Sequence, residues 1–332
     1  MGRLTRKHSV VVLMPVYQDW PSASIVCRQL DDLLSLHPEL AVQVLLVDDG
    51  SPDGIEGWLP FETRALTEVS VLQLHSNLGH QRAICAGLCY IHQTLSCDFI
   101  LVMDADGEDR PQDAVELIQM ALGRPNPVLF AERRKRFVGA VFRLGYTAFR
   151  LAHRILTGVS VRVGNFSILR FSALSRLVVM PELWNHYAGA VFKSRLRFDT
   201  VPMDRGDRIA GHPQMNVPSL VTHGLAGIAT FQETVATRVL IFNALGLIFL
   251  LAAVGVAIAI RMFTTPGIPG WATSTTGFVV VSALQLLALS FNLAFSLISN
   301  RNRMLFLPVR DYGIFVNKVV LLSQAVAAGS GD

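Results

Sequence analysis

Short apolar runs recur through the first part of the chain, at residues 9–14, 42–47, 70–74, 99–103 and 128–131, most of them closed by an acidic residue, glycine or proline. Their length and punctuation predict buried strands. Between them the apolar positions fall at helical spacing, over 22–36, 81–94 and 112–122. Strand and helix alternating at this interval predict a parallel, doubly wound α/β sheet. Ligands of such sheets bind beyond the carboxyl ends of the strands.

Farther along, the pattern changes. Residues 1–227 hold 45 of the 54 charged side chains, whereas 228–300 hold only Glu233, Arg238 and Arg261. The 22 residues 239–260 carry no charge and one Asn. As a helix they would span about 33 Å, enough for a bilayer core of roughly 30 Å. Residues 277–300 are uncharged as well. Two such runs joined by a short Thr/Pro/Gly loop predict a transmembrane hairpin; the competing reading is a pair of helices buried in a large soluble fold. Arg238 precedes the first run, Arg301, Arg303 and Arg310 follow the second, and Arg261 alone lies between. This bias places both ends of the hairpin in the cytoplasm.

The apolar run at 10–16 is too short for a signal peptide and reads as a strand. The segment 312–328 is apolar but holds Asn317 and Lys318, and reads as an interfacial or docking helix rather than a third span. The expected organisation is a cytoplasmic domain over 1–227, a juxtamembrane segment with two spans over 228–311, and a cytoplasmic tail over 312–332.

Composition supports this division. The whole chain is 51% hydrophobic and 16% charged, against about 25% charged for an average soluble domain. That excludes a disordered or fibrous protein. The net charge of +4 conceals two opposed halves: 8 basic and 17 acidic side chains in 1–131, then 15 basic and 5 acidic in 132–227. Such halves pair naturally around an anionic substrate with a metal. The basic run Arg133-Arg134-Lys135-Arg136, with Arg143, Arg150 and Arg154 after it, would attract anionic headgroups or phosphates, at about 1 kcal/mol per residue near the surface. Nucleic acid is the competing partner, disfavoured by the low aromatic content there and by the hairpin. Cys27, Cys85, Cys89 and Cys97 lack metal-binding spacing and read as reduced, buried thiols.

The chemistry gathers at the strand ends: Pro15-Val16-Tyr17, Asp48-Asp49-Gly50-Ser51, Asn77-Leu78-Gly79-His80 and Asp104-Ala105-Asp106. Asp104 and Asp106, followed by Glu108 and Asp109, crowd carboxylates that repel unless a cation neutralises them. Hard oxygen ligands select Mg²⁺ or Mn²⁺. A solvated acidic turn before the helix at Pro111 is the plainer alternative. Asp48 and Asp49 either make a turn or accept hydrogen bonds from a base N–H or ribose hydroxyl. A metal and a nucleoside contact on one edge describe a nucleotide-sugar pocket. The chain has no P-loop, no G-x-G-x-x-G and no G-x-S-x-G, which disfavours NTPases, dinucleotide enzymes and α/β-hydrolases.

With PVYQD, VDDGSPDG, NLGHQRA, MDADGEDRP, AERRK, GNFSIL and DRIAGHPQMN in this order, the sequence resembles inverting, GT-A-fold glycosyltransferases of family two. The similarity is greatest to dolichyl- or polyprenyl-phosphate sugar synthases that end in a transmembrane hairpin. It covers roughly residues 9–227. The resemblance implies transfer of a sugar from a nucleotide-sugar donor to a membrane lipid acceptor, polyprenyl phosphate, at a bacterial inner membrane, with a divalent metal and no nucleic acid. By the same resemblance Pro15, Tyr17 and Asp19 line the nucleoside pocket, with Asp19 at a usual Glu position. Val47 and one of Asp48 or Asp49 hold base and ribose. Asp104 and Asp106 carry the metal, and Ala105 packs against the donor. Glu108 falls at a common Gln position.

Arg133 and Arg208 would steady phosphates, while Gln214 stands where relatives have lysine in the late motif. Asn165 replaces an Asp that is the candidate base in relatives, and Asn cannot take a proton. Either the acceptor is a phosphate already ionised near neutral pH, or it is a hydroxyl deprotonated by Glu108, Asp109 or another carboxylate. Two rivals are a processive polysaccharide synthase, whose Q-x-x-R-W is missing here, and a catalytically idle nucleotide-sugar-binding module. Ala252, Ala253 and Gly255 could pack against a second hairpin in a homo-oligomer, or against their own partner helix.

Overall fold

The computed structural model describes residues 7–53, 55, 63–133, 140–159, 163–209, 224–263, 270–301 and 306–324. Gln214 and the basic residues 134–136 lie outside them, and of Arg133 and Arg143 only the backbone is described. The chain divides into two compact units. One comprises Met1–Arg143, Val161–Thr230 and Phe306–Asp332, the other Leu144–Ser160 and Phe231–Leu305.

The first unit is built on a sheet of β1 (His8–Val16), β2 (Leu40–Asp48), β3 (Leu66–Leu74), β4 (Phe99–Val102), β5 (Val128–Arg133), β6 (Ser167–Arg170), β7 (Phe198–Met203) and β8 (Val316–Gln324), in the order β7-β5-β6-β4-β1-β2-β3-β8. The central strands β4, β1, β2 and β3 are parallel. Successive side chains of a strand face opposite ways. Val10, Val12 and Met14 of β1 accordingly enter one core cluster, with α1 (Trp20–Leu34) and α3 (Pro111–Leu122), while Val11 and Leu13 enter the other, with α2 (His80–Thr94). A strand buried on both faces reads as an unbroken apolar run. Gly87 lets α2 lie close on the sheet, since a Cβ there would sit 2.4 Å from Leu13 Cδ1 and 2.8 Å from Val47 Cγ2.

Two expectations are corrected. The sheet is mixed, not wholly parallel: β6 runs antiparallel between β4 and β5, and β8 runs antiparallel along β3. The segment around 312–328 is not a docking helix, because Val316–Gln324 forms β8. The edge of β3 carries a row of N–H and C=O groups that need partners. The β-branched Val316, Val319 and Val320 suit the strand that supplies them.

The later helices are α4 (Ala140–Thr157), α5 (Phe171–Leu177), α6 (Tyr187–Lys193), α7 (Gln232–Phe263), α8 (Trp271–Arg301) and the single turn α9 (Pro308–Asp311). In the second unit α7 and α8 enclose the two uncharged stretches, and Asn243 Nδ2 of α7 donates to Ser290 Oγ of α8 at 3.0 Å. Both are long and apolar enough to cross a membrane. Their apolar side chains face outward, as Phe249, Phe278 and Phe291 show at 73%, 80% and 79% exposure.

Candidate functional site

The loops after the parallel strands are stitched to one another at the carboxyl edge. Gln18, in a left-handed backbone conformation at φ 52°, donates its N–H to Ser51 Oγ at 3.0 Å, joining the loop after β1 to the loop after β2. Asp49 accepts the N–H groups of Leu78 and Gly79 at 2.7 and 2.8 Å, joining β2 to the loop that opens α2. Burial pushes the Asp49 carboxyl up, against the pull of those two N–H groups. Gly50 makes the close approach feasible: its φ is +69°, and a Cβ would lie 2.5 Å from the Ser76 carbonyl carbon.

The turn after β4 presents the acids. Asp106 Oδ1 accepts the Glu108 N–H at 3.0 Å, and the buried Asp109 accepts the Asp104 N–H at 2.9 Å, so Asp109 braces the turn from inside. Residues 204–209 are seated on this turn. Gly206 and Ile209 donate their N–H groups to the carbonyls of Glu108 and Asp106, both at 2.9 Å. Gly107, at φ +87°, leaves room for the Ile209 side chain. Glu108 pairs with Arg205. Arg208 spans two strand ends, pairing through Nη1 with Asp106 Oδ2 at 3.1 Å and through Nη2 with Asp19 Oδ2.

A second circuit joins α2 to the residues before β6. His80 Nε2 lies 3.3 Å from Asp104 Oδ1 and 3.0 Å from Asn165 Nδ2. Asn165 Oδ1 accepts from Gln81 Nε2 at 3.1 Å, and Gln81 Oε1 accepts the Tyr187 N–H at 2.7 Å. Ser167 Oγ donates to the Asn165 carbonyl at 2.9 Å and meets the buried Tyr187 hydroxyl at 2.8 Å. Burial opposes a charge on His80, yet the carboxylates of Asp104, Asp109 and Asp106 raise its pKa above the usual value.

The expected site residues thus divide by position. Asp19, Asp104, Asp106, Glu108, Asp109, Asn165 and Arg208 share one hydrogen-bonded edge with Asp48 and Asp49. Pro15 and Tyr17 belong to the end of β1 and its loop. Asp48 accepts the Ser51 N–H at 3.0 Å and, weakly, Gln73 Nε2 at 3.4 Å. Val47 is fully buried, its side chain against α2, and Ala105 lies in the core cluster on the other face. His80 and Gln81 stood in the strand-end motif NLGHQRA, but sequence reasoning gave neither a role. The signal available for them was the polar run His80-Gln81-Arg82 opening a helix with an apolar middle, just after Gly79 at φ 94°. Carboxylates and an arginine at strand ends can together hold a cation and an anionic diphosphate.

Known proteins resemble this chain along much of its length. The uncharacterized glycosyltransferase YkoT of Bacillus subtilis is 25% identical over 253 residues, covering 74% of this chain and 73% of that protein. YkcC of the same organism, likewise named a glycosyltransferase, is 23% identical over 295 residues, covering 86% and 88%. The bactoprenol glucosyl transferase of Shigella phage SfV is 22% identical over 240 residues, covering 71% and 76%. Among solved structures, the glucosyl-3-phosphoglycerate synthase of Mycobacterium tuberculosis aligns with a TM-score of 0.48 at 16% identity, over 69% of this chain and 80% of that one. The family model "Glycosyl transferase family 2" matches residues 11–178, which run from β1 to the end of α5 and include the acids after β2 and β4 as well as Asn165. With its GT-A-like mixed sheet followed by two long apolar helices, the chain belongs to glycosyl transferase family 2.

Proposed function

We propose that this glycosyltransferase moves a sugar from a nucleotide-sugar donor to a lipid phosphate of the polyprenyl class, at a membrane crossed by α7 and α8. The reading rests above all on Arg208 joining Asp19 to Asp106 on the carboxyl edge of the sheet, beside Asp104. The lipid acceptor draws support from the relatives named bactoprenol glucosyl transferases. The hairpin draws support from chain topology. The residues before α7 and the strand β8 after α8 both belong to the first unit, and a hairpin of two crossings would return the chain to the side it left. The basic flanks make that side the cytoplasm.

The donor set at Asp104 and Asp106 fits Mg²⁺ or Mn²⁺, both of which take hard carboxylate oxygens. Among the described residues no group of three or more His, Cys, Asp or Glu side chains could hold a metal. Asp104 and Asp106 would hold such a cation and leave positions for donor phosphate oxygens, which is the usual habit of Mg²⁺. A cation bound there would supply Lewis-acid stabilisation of the departing diphosphate. Arg208 would exchange its carboxylate partners for phosphate oxygens, to which its planar fork is matched. Asp48 would accept from the base or ribose, while Asp49 keeps the neighbouring loops together.

The acceptor phosphate oxygen attacks the anomeric carbon as the bond from that carbon to the diphosphate oxygen breaks. The electron pair leaves with the nucleoside diphosphate, and the configuration inverts. A phosphate monoester has a second pKa of about 6 and arrives ionised, so an amide at 165 is no obstacle.

The test uses the full chain in nanodiscs with a panel of radiolabelled UDP- and GDP-sugars, offered undecaprenyl phosphate or undecaprenol. A sugar-phospholipid found by mass analysis with the phosphate alone is the expected result. Transfer to the alcohol, or to neither lipid with any donor, would overturn the proposal.

A further inference from the structure

One of the two acids expected to hold a cation already carries a positive partner. Asp106 engages the protein through both oxygens: Oδ1 accepts the Glu108 N–H at 3.0 Å, and Oδ2 accepts from Arg208 Nη1 at 3.1 Å. The other arm of the same guanidinium donates to Asp19 Oδ2. These three side chains are only 14–21% exposed, so salt and solvent screen their charges weakly. A divalent cation arriving alone at Asp106 Oδ2 would meet a positive charge held at two points, and the two charges repel.

The base of this arm is fixed independently of its tip. The Gly206 and Ile209 N–H groups are bonded to the carbonyls of Glu108 and Asp106. The two segments also pack closely: a Cβ at Gly206 would lie 2.7 Å from the Gly107 carbonyl oxygen, and one at Gly107 would lie 2.5 Å from Ile209 Cγ1. Asp106 Oδ2 can therefore change partner by a swing of the Arg208 side chain, with the backbone of 206–209 left in place. A diphosphate offers the planar fork a bidentate partner. Its negative charge also lets a guanidinium and a divalent cation stand near each other.

We propose that Arg208 is a resident counter-ion of Asp106 that the donor diphosphate draws away, so that this site takes its divalent cation together with the nucleotide and not before it. The substrate is then the cation–nucleotide-sugar complex, and an unaccompanied cation is kept out by the protein's own arginine. This inference rests on the reading of Asp104 and Asp106 as the cation-binding acids.

The test titrates Mn²⁺ into the full chain in detergent and follows the free ion by electron paramagnetic resonance, with UDP, with GDP or with no nucleotide. Without nucleotide, Arg208→Gln is expected to bind Mn²⁺ about tenfold or more tightly than the native chain, within the range usual for coupled sites. Arg205→Gln, which removes a neighbouring positive charge paired with Glu108, should leave Mn²⁺ affinity near the native value. A gain as large in Arg205→Gln would reduce the effect to net charge and overturn the inference. The native chain gives a second reading that needs no variant: nucleotide and Mn²⁺ should each tighten the other by the same factor, and a nucleotide affinity unmoved by Mn²⁺ would sink the idea. Equal Mn²⁺ affinities in the native chain and Arg208→Gln, both abolished by Asp106→Asn, would overturn the inference and leave the cation reading standing. No Mn²⁺ bound by either protein, with or without nucleotide, would remove both.

Discussion

Gln81 donates from Nε2 to Asn165 Oδ1 at 3.1 Å, and a backbone N–H decides that polarity. The Tyr187 N–H can only donate, and it points at Gln81 Oε1 from 2.7 Å. The Gln81 amide therefore has one orientation, and Asn165 follows with its NH₂ toward His80. Asn165 is held at both ends beside Asp104.

Removing this link should cost stability. Gln81→Leu strands a buried N–H at Tyr187 and is expected to destabilise by about 1–3 kcal/mol. Gln81→Glu keeps that acceptor and should lose less. Thermal unfolding of both variants in detergent checks the ranking, and equal losses would argue against the relay.

Asn165→Asp addresses the acceptor. A general base contributes roughly 10²–10⁴-fold. With a lipid phosphate as nucleophile, the new carboxylate should change the turnover rate by far less than that. A gain of a hundredfold would point to a hydroxyl acceptor.

Arg208 bridges Asp19 and Asp106, so its loss should be felt mainly in the use of the donor. Arg208→Ala is expected to lower kcat/KM for the donor by about 10²–10³-fold, as for other charge-stabilising donors. Arg208→Lys should recover only part of this, because an ammonium offers no planar fork. Full activity in the lysine variant would reduce the bridge to simple charge.

Asp106→Asn should abolish transfer, and chelation of divalent cations should do the same to the native chain, reversibly on returning Mg²⁺ or Mn²⁺. Turnover that survives either treatment would remove the cation from these acids.

Gly50→Ala forces a side chain into the left-handed region and against backbone atoms of Ser76 and Asn77 at 2.5–2.8 Å. The expected loss is about 2–3 kcal/mol, with weaker donor binding, measured by unfolding and by nucleotide titration. Unchanged donor affinity would mean that the stitched loops do not shape the pocket.

The thiols give a pH prediction. Burial, reinforced by Asp31, pushes Cys27 up to about 12, and burial with Asp98 does the same for Cys97. An unfolded thiol ionises near 8.5, so the unfolded chain releases these protons first. The stability they contribute is complete below about 8.5 and is lost as pH rises toward 12. Unfolding temperatures at pH 7 and pH 10 should differ by less in Cys27→Ala than in the native chain.

Much of this was legible in the sequence, and the reasons are local. β1 to β5 and α1 to α3 announce themselves by apolar period, and Asp48, Asp104 and Asp106 stand out as charges ending buried strands. What escaped depends on distant partners. β8 is a strand because β3 has an open edge, far away along the chain. His80 and Gln81 matter through Asn165 and Tyr187, which no spacing rule connects to them. Val47 sits next to Asp48 in sequence, but strand alternation turns its side chain toward α2.

Because β8 is the last strand among the described residues and pairs with β3, the order of synthesis constrains assembly. The ribosome releases both apolar helices before it releases the residues that close the sheet. Until then β3 offers an unprotected edge to any other strand in the cell. Both apolar helices are therefore made before the catalytic sheet can be completed. A finished sheet without its two apolar helices is a state that this chain order avoids.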